Sequence, residues 1–181
     1  HVLRHSAAHV MAQAIQRLYP EADFAYGPAT EKGFYYDVDL GDKKLSDEDL
    51  LAIENEMKKI VKENLPIKPF ILERDEAIKY MQERGAKYKE EHIGDLPEDA
   101  VISFYKQGDY VDMCVGPHIT YTKALKAFKI TQQSGAYWKN DAKNKMLTRI
   151  NGVAFQTQEE LDAYEKQMQE ARDRDHRKIG K

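Results

Sequence analysis

The residues best suited to chemistry in this sequence fall in two short stretches. His5 and His9 stand four apart near the start, Cys114 and His118 stand four apart in the second half, and Asp112 precedes the cysteine by two. On a helix an offset of four puts both imidazoles on one face, about one turn apart. The Gly116-Pro117 bend can turn His118 back toward Cys114, and Asp112, two residues earlier in an extended segment, shares the cysteine's face. Two chemistries fit these groups. Three histidines and a thiolate are an acceptable tetrahedral set for Zn²⁺. Without metal, the same groups supply a base and hydrogen-bond donors for hydrolysing an ester. The spacings leave both open: histidine pairs at this offset also occur on surfaces and in satisfied cores, and CxxxH lacks the close CxxC spacing of zinc knuckles.

The elements that must position these groups are legible in the hydrophobic pattern. A first helix is predicted from about His5 to Leu18, with Ala7, Met11, Ala14 and Leu18 as its apolar stripe and both histidines off that stripe. From Asp23 to Leu40 the pattern predicts an antiparallel hairpin, in which Phe34, Tyr36, Val38 and Leu40 alternate with Tyr35, Asp37 and Asp39. A long second helix follows, capped by Ser46 with Asp49 in a capping box, burying Leu50, Ile53, Met57, Ile60 and Val61 and ending before Pro66. Ile67 to Glu73 reads as a strand near a sheet edge because of Pro69, and a short helix from about Glu76 stops near Gly85. Val101 to Lys106 and Asp109 to Met113 read as two strands joined through Gln107-Gly108. Strand formers then run from Phe128 to Phe155, with Gly135 and Asn151-Gly152 expected to break them. A last helix, capped by Thr157 with Glu160, is expected to turn Leu161, Tyr164, Met168 and Ala171 inward. The sum is an α+β fold of mostly antiparallel sheets packed with helices. No internal repeat, low-complexity tract or phosphate-binding glycine loop is present.

Composition narrows the classes. The 181 residues are 41% hydrophobic and 33% charged, and no apolar run approaches the roughly 20 residues of a membrane span, so a soluble, cytoplasmic protein without membrane contact is expected. One cysteine excludes an internal disulfide framework. The net charge of -3 argues against a nucleic-acid binder, yet Lys123, Lys126, Lys129, Lys139, Lys143, Lys145 and Arg149 face the single acid Asp141 over that stretch, beside Tyr137 and Trp138. That excess reads either as a contact for an RNA backbone or as a solvated face. The chain starts on His1 with a helix almost at once, which reads as a piece of something longer.

HSAAH at 5–9, YGPATEKGFYYDVDL at 26–40, YVDMCVGPH at 110–118, SGAYWKNDAKNKMLTRINGVAF at 134–155 and DHRKIGK at 175–181 together give the chain a resemblance from end to end. It resembles the second N-terminal domain of threonyl-tRNA synthetases, an editing domain. A related HxxxH and CxxxH pattern occurs in alanyl-tRNA synthetase editing domains and in free-standing alanyl-tRNA editing proteins, where it can hold zinc. GFYYD and AYW resemble the threonyl branch, whose site works without metal.

The resemblance implies hydrolysis of serine from threonine-specific tRNA, with the catalytic and anticodon-binding domains of the synthetase, absent here, as further partners. It implies RNA rather than DNA as the nucleic acid. It also implies an editing domain over 1–181, with a main part at about 1–120, a basic strand-rich part at about 121–156, and a helix and linker at about 157–181. His5 and His9 would orient or activate water and contact the ribose. Lys89, matched through RGAKYK with Lys87 as its competitor, would stabilise negative charge or assist proton transfer. Asp112 would hold the substrate ammonium or orient a histidine, Cys114 and His118 would line the serine pocket or hold a second water, and Tyr36 would close that pocket. Lys123, Lys126, Lys139, Lys143, Lys145 and Arg149 are the RNA-contact candidates. No cofactor is favoured; a zinc ion, if present, would sit on His5, His9, Cys114 and His118. The alternatives are a zinc-dependent alanyl-type hydrolase acting in trans and a non-catalytic RNA-binding module.

Overall fold

The structure, a computed structural model, describes residues 2–26, 33–41, 43–108, 110–113, 121–138, 143 and 145–179. It is an α+β fold with two antiparallel sheets. The first has the order β1-β2-β7-β6, from β1 (Asp23–Tyr26), β2 (Gly33–Asp39), β6 (Ala127–Tyr137) and β7 (Met146–Phe155). The second has the order β3-β4-β5, from β3 (Ile67–Glu73), β4 (Val101–Gln107) and β5 (Tyr110–Met113). Pro69 therefore lies on an edge strand, as expected.

Helices α1 (Val2–Leu18) and α2 (Asp47–Glu63) cover the first sheet and form the main core with Phe34, Tyr36, Val38, Ile130 and Ile150. The capping box of α2 is present as expected, with Ser46 Oγ accepting from the Asp49 N–H at 3.2 Å and Asp49 accepting from the Ser46 N–H at 2.9 Å. Ile53, Met57 and Ile60 are fully buried, each contributing roughly 1.5–3 kcal/mol of apolar burial. The helix closes on Asn64 in the left-handed region at φ 52°. A 3₁₀ turn at Thr122–Ala124 seals that end, because Thr122 Oγ1 donates to the Ile60 carbonyl and accepts from the Leu65 N–H. The second sheet carries α3 (Arg74–Glu83) on a smaller core of Ala77, Met81, Ile93, Ile102, Phe104 and Val111. Helix α4 (Lys87–Gly94) comes next, and α5 (Gln158–Ile179) packs Leu161 against Ala127 and Val153. Among the described residues no helix is long and apolar enough to cross a membrane.

Four sequence expectations are corrected. Helix α1 has no single apolar stripe: it is buried on every side from Ser6 to Ile15, His9 included, whereas Leu18 is 37% exposed. Small residues such as Ala7, Ala8, Ala12 and Ala14 let neighbours close in from all directions. Gly135 and Asn151-Gly152 do not interrupt the strands but lie within β6 and β7. Gly152 is there because of a close approach: a Cβ would lie 2.5 Å from the Phe34 ring and 2.9 Å from the Lys129 carbonyl oxygen. Met168 is exposed, since α5 has passed beyond the sheet by that turn. Helix α4 has no counterpart among the elements expected from the sequence.

Candidate functional site

Four elements converge on Asp112. Strand β5 presents Asp112, which is 2% exposed, in the interior between α1, β2 and α4. Helix α4 sends in Lys89, whose Nζ lies 2.7 Å from Asp112 Oδ1 and donates to Tyr36 Oη at 2.7 Å. Strand β2 supplies Tyr36, which is wholly buried and donates its hydroxyl to Asp112 Oδ2 at 2.5 Å. Helix α1 places His9 Nε2 3.4 Å from the same oxygen. The His5 ring stands edge-on to that of His9, with centroids 5.6 Å apart, and is less deeply buried.

Helix geometry separates Lys87 from Lys89. Two residues apart is about 200° around the axis, so the two lysines leave α4 on opposite sides. Lys87, 58% exposed, lies 3.6 Å from Asp23 and 3.4 Å from Asp39, while Lys89 turns inward to Asp112.

Burial and charge set the protonation states. For His9, burial is the largest influence and outweighs the attraction of Asp112, with His5 and Lys89 adding to the depression; its pKa falls to about 4. It is therefore neutral near pH 7. Burial lowers His5 as well, against the pull of Asp112. Burial would raise Asp112, but Lys89 and His9, with the hydrogen bonds from Lys89 and Tyr36, hold it at about 2. Burial and the adjacent carboxylate push the Tyr36 and Tyr110 hydroxyls well above their ordinary value, so both remain donors.

Sequence reasoning missed two members of this neighbourhood. Tyr110 donates to Asp112 Oδ2 at 3.0 Å. It lies two residues before Asp112 on the same strand face, so the period-two rule already placed it there. Gln107 donates to the His9 carbonyl at 3.1 Å and to Gln13 Oε1 at 2.9 Å, tying β4 to the helix that carries the histidines. Nothing in its sequence surroundings marked it. A cavity of about 570 Å³ reaches Lys89, Tyr110 and Asp112, with Gln16, Phe24 and Arg84 among its other walls.

Cys114, His118 and Lys139 lie outside the described residues. Among the described residues no group of three His, Cys, Asp or Glu side chains could hold a metal ion. Of the other basic candidates, Arg149 makes a two-pronged contact with Asp37 at 2.8 and 3.0 Å and lies over the Tyr35 ring. Lys145 pairs with Asp39 at 2.9 Å and Lys129 with Glu165 at 3.1 Å, whereas Lys123 and Lys126 are exposed beside the 3₁₀ turn. Lys143 is described beyond the end of β6.

Residues 102–151, which hold β4, β5, Asp112 and most of the β6–β7 hairpin, match the family described as the threonyl and alanyl tRNA synthetase second additional domain. Over 178 residues, 98% of the chain, it is 56% identical to a threonine-tRNA ligase of Acetivibrio thermocellus. The chain belongs with the second additional domain of threonyl-tRNA synthetases. Similar matches are the threonine-tRNA ligases of Clostridioides difficile, 56% identical over 99% of the chain, and Clostridium acetobutylicum, 55% identical over 99%. The chain spans 28% of the length of each of these relatives. Membership in the threonyl branch agrees with the GFYYD segment, whose second tyrosine is Tyr36 of the Asp112 cluster.

Proposed function

We propose that this chain hydrolyses the ester that joins wrongly attached serine to threonine-specific tRNA. The observation that carries the reading is the buried cluster in which Lys89, Tyr36 and His9 all meet Asp112. Such a cluster gains a core little stability, because hydrophobic packing of equal volume is commonly at least as stable, which supports a chemical role for it.

The need for such a site is energetic. Serine is threonine without a methyl group, a difference worth about 1–3 kcal/mol in a binding pocket, so an enzyme selecting threonine profits from a second site that destroys the smaller product. In the reaction, water adds to the ester carbonyl carbon, the bond to the ribose oxygen breaks, and the proton from water leaves with the ribose hydroxyl. His9, neutral at working pH, orients the water or takes its proton in passing, and His5, nearer to solvent, contacts the terminal ribose. Lys89 faces the oxyanion that forms on the carbonyl oxygen. Asp112 fixes Lys89 and His9 and draws in the substrate ammonium, with Tyr36 holding its second oxygen. Cys114 and His118 line the serine pocket in this reading. Lys123 and Lys126 contact the tRNA backbone.

The route is metal-free. Lys89 already provides the positive charge beside Asp112. The alternative, a zinc-dependent alanyl-type hydrolase with the ion on His5, His9, Cys114 and His118, is separated from this reading by its response to a chelator. The test is deacylation of seryl- and threonyl-tRNA, both on threonine-specific tRNA, with and without a chelator. Release of serine alone, unaffected by chelator, is expected. Loss of activity on chelation, or equal release of threonine, would overturn the proposal.

A further inference from the structure

We infer that Tyr88 and Asp39 are positioning residues for Lys89, forming a latch that fixes helix α4 against the first sheet so that the lysine ammonium meets Asp112. The inference rests on the hydrolytic reading for the importance of Lys89, but the latch itself stands on geometry.

Helix α4 has eight residues, and no side chain caps its start at Ala86. A helix this short is not stable by itself, so its position and rotation are set by what its side chains grip. Tyr88 is the grip. Its ring is buried with Ala25, Leu147 and Trp138, its centroid 5.0 Å from that of Trp138, and its hydroxyl donates to Asp39 Oδ2 at 2.7 Å. Trp138 Nε1 in turn donates to Glu91, one turn further along α4, adding a second contact on this side, while Ile93 anchors the far end of the helix in the smaller core.

Asp39 is built to receive this load. It ends β2, is 5% exposed, and also accepts from the Gly41 N–H at 3.0 Å and from Lys145 Nζ at 2.9 Å. Although burial alone would raise its pKa, the Tyr88, Gly41 and Lys145 hydrogen bonds hold its carboxyl far below the ordinary range, which keeps it ionised and accepting. Lys89 is the next residue after Tyr88, about 100° further around the helix. Its side chain spans from α4 to both β2 and β5, so the placement of the helix decides whether Nζ meets Asp112 and Tyr36 together. Adjacent residues thus have separate roles, with Tyr88 fixing the helix and Lys89 reaching the site.

The test uses the 181-residue chain with Tyr88→Phe, which keeps the ring, and Asp39→Asn, which keeps the shape. Lysine amines are labelled with a trace acylating reagent and Lys89 is followed by peptide mass spectrometry against exposed Lys58 and Lys59, with the denaturation midpoint measured on the same samples. Lys89 labelling is expected to rise about tenfold or more in both variants, the weight of one hydrogen bond to a charged acceptor, while the chain stays folded. Lys89 as protected in both folded variants as in the parent chain would overturn the latch. Seryl-tRNA hydrolysis on the same preparations is expected to lose kcat with little change in KM. Raised labelling with kcat unchanged would leave the latch standing and contradict the chemical role of Lys89 instead.

Discussion

Two buried aspartates, Asp112 and Asp39, are each met by a tyrosine hydroxyl and a lysine, yet they differ in where the cation sits. Around Asp112 the partner Lys89 is 8% exposed, so both charges have left water. Around Asp39 the partners Lys145 and Lys87 are 52% and 58% exposed, so their charges stay solvated while the carboxylate is held mainly by neutral donors. The first arrangement is costly to assemble and strongly perturbs the groups around it, which suits chemistry. The second is cheap, tolerates salt and substitution of either lysine, and suits a mechanical contact.

The sharpest way to break the comparison is to remove each carboxylate partner in turn. Asp112→Ala leaves a buried ammonium without its counter-charge and is expected to lower stability by about 3–5 kcal/mol, along with loss of hydrolysis, as read by urea denaturation and single-turnover deacylation. A change near zero would place Lys89 in water.

The next largest effect is in the pH dependence of stability. His9 has a folded pKa of about 4 against an unfolded 6.5, so the chain must shed that proton to fold. Its contribution is complete above about pH 6.5 and is lost as pH falls toward 4, amounting to about 3 kcal/mol. Asp112, held at about 2, adds a further loss only at lower pH, below its unfolded value of 3.8. Denaturation midpoints between pH 4 and 7 should therefore rise steeply in the parent chain and much less in His9→Gln. Equal slopes would mean that His9 titrates as an exposed histidine.

The smallest expected effect lies on the other side of the comparison. Lys145→Ala should change stability by less than about 1 kcal/mol, because the exposed partner of Asp39 is screened while Tyr88 and Gly41 keep the carboxylate bonded. A loss comparable to that of Asp112→Ala would erase the distinction between the two networks.

What the sequence disclosed follows the same division. Helix α2 and strands β3 to β5 were legible because a capping box and simple periodicities decide them. His5 and His9 were legible as a pair because an offset of four puts them on one helix face. Asp37 and Asp39 alternate with the apolar residues of β2, but that strand is interior to its sheet and both carboxylates are buried with partners, which the alternation alone does not disclose. Helix α4 was hidden because KYKEEHIG has no apolar stripe and no capping residue; long-range contacts of Tyr88 and Lys89 place it. The latch is tertiary information, and no local pattern encodes it.

The central claim is that the buried Asp112 cluster performs hydrolysis through Lys89. The most direct measurement is single-turnover deacylation of seryl-tRNA on threonine-specific tRNA by Lys89→Ala, with folding checked on the same preparation. The account predicts a loss of about 10²-fold or more in a folded chain, the scale of removing one oxyanion-stabilising group. A folded Lys89→Ala chain that releases serine at the parent rate would contradict it.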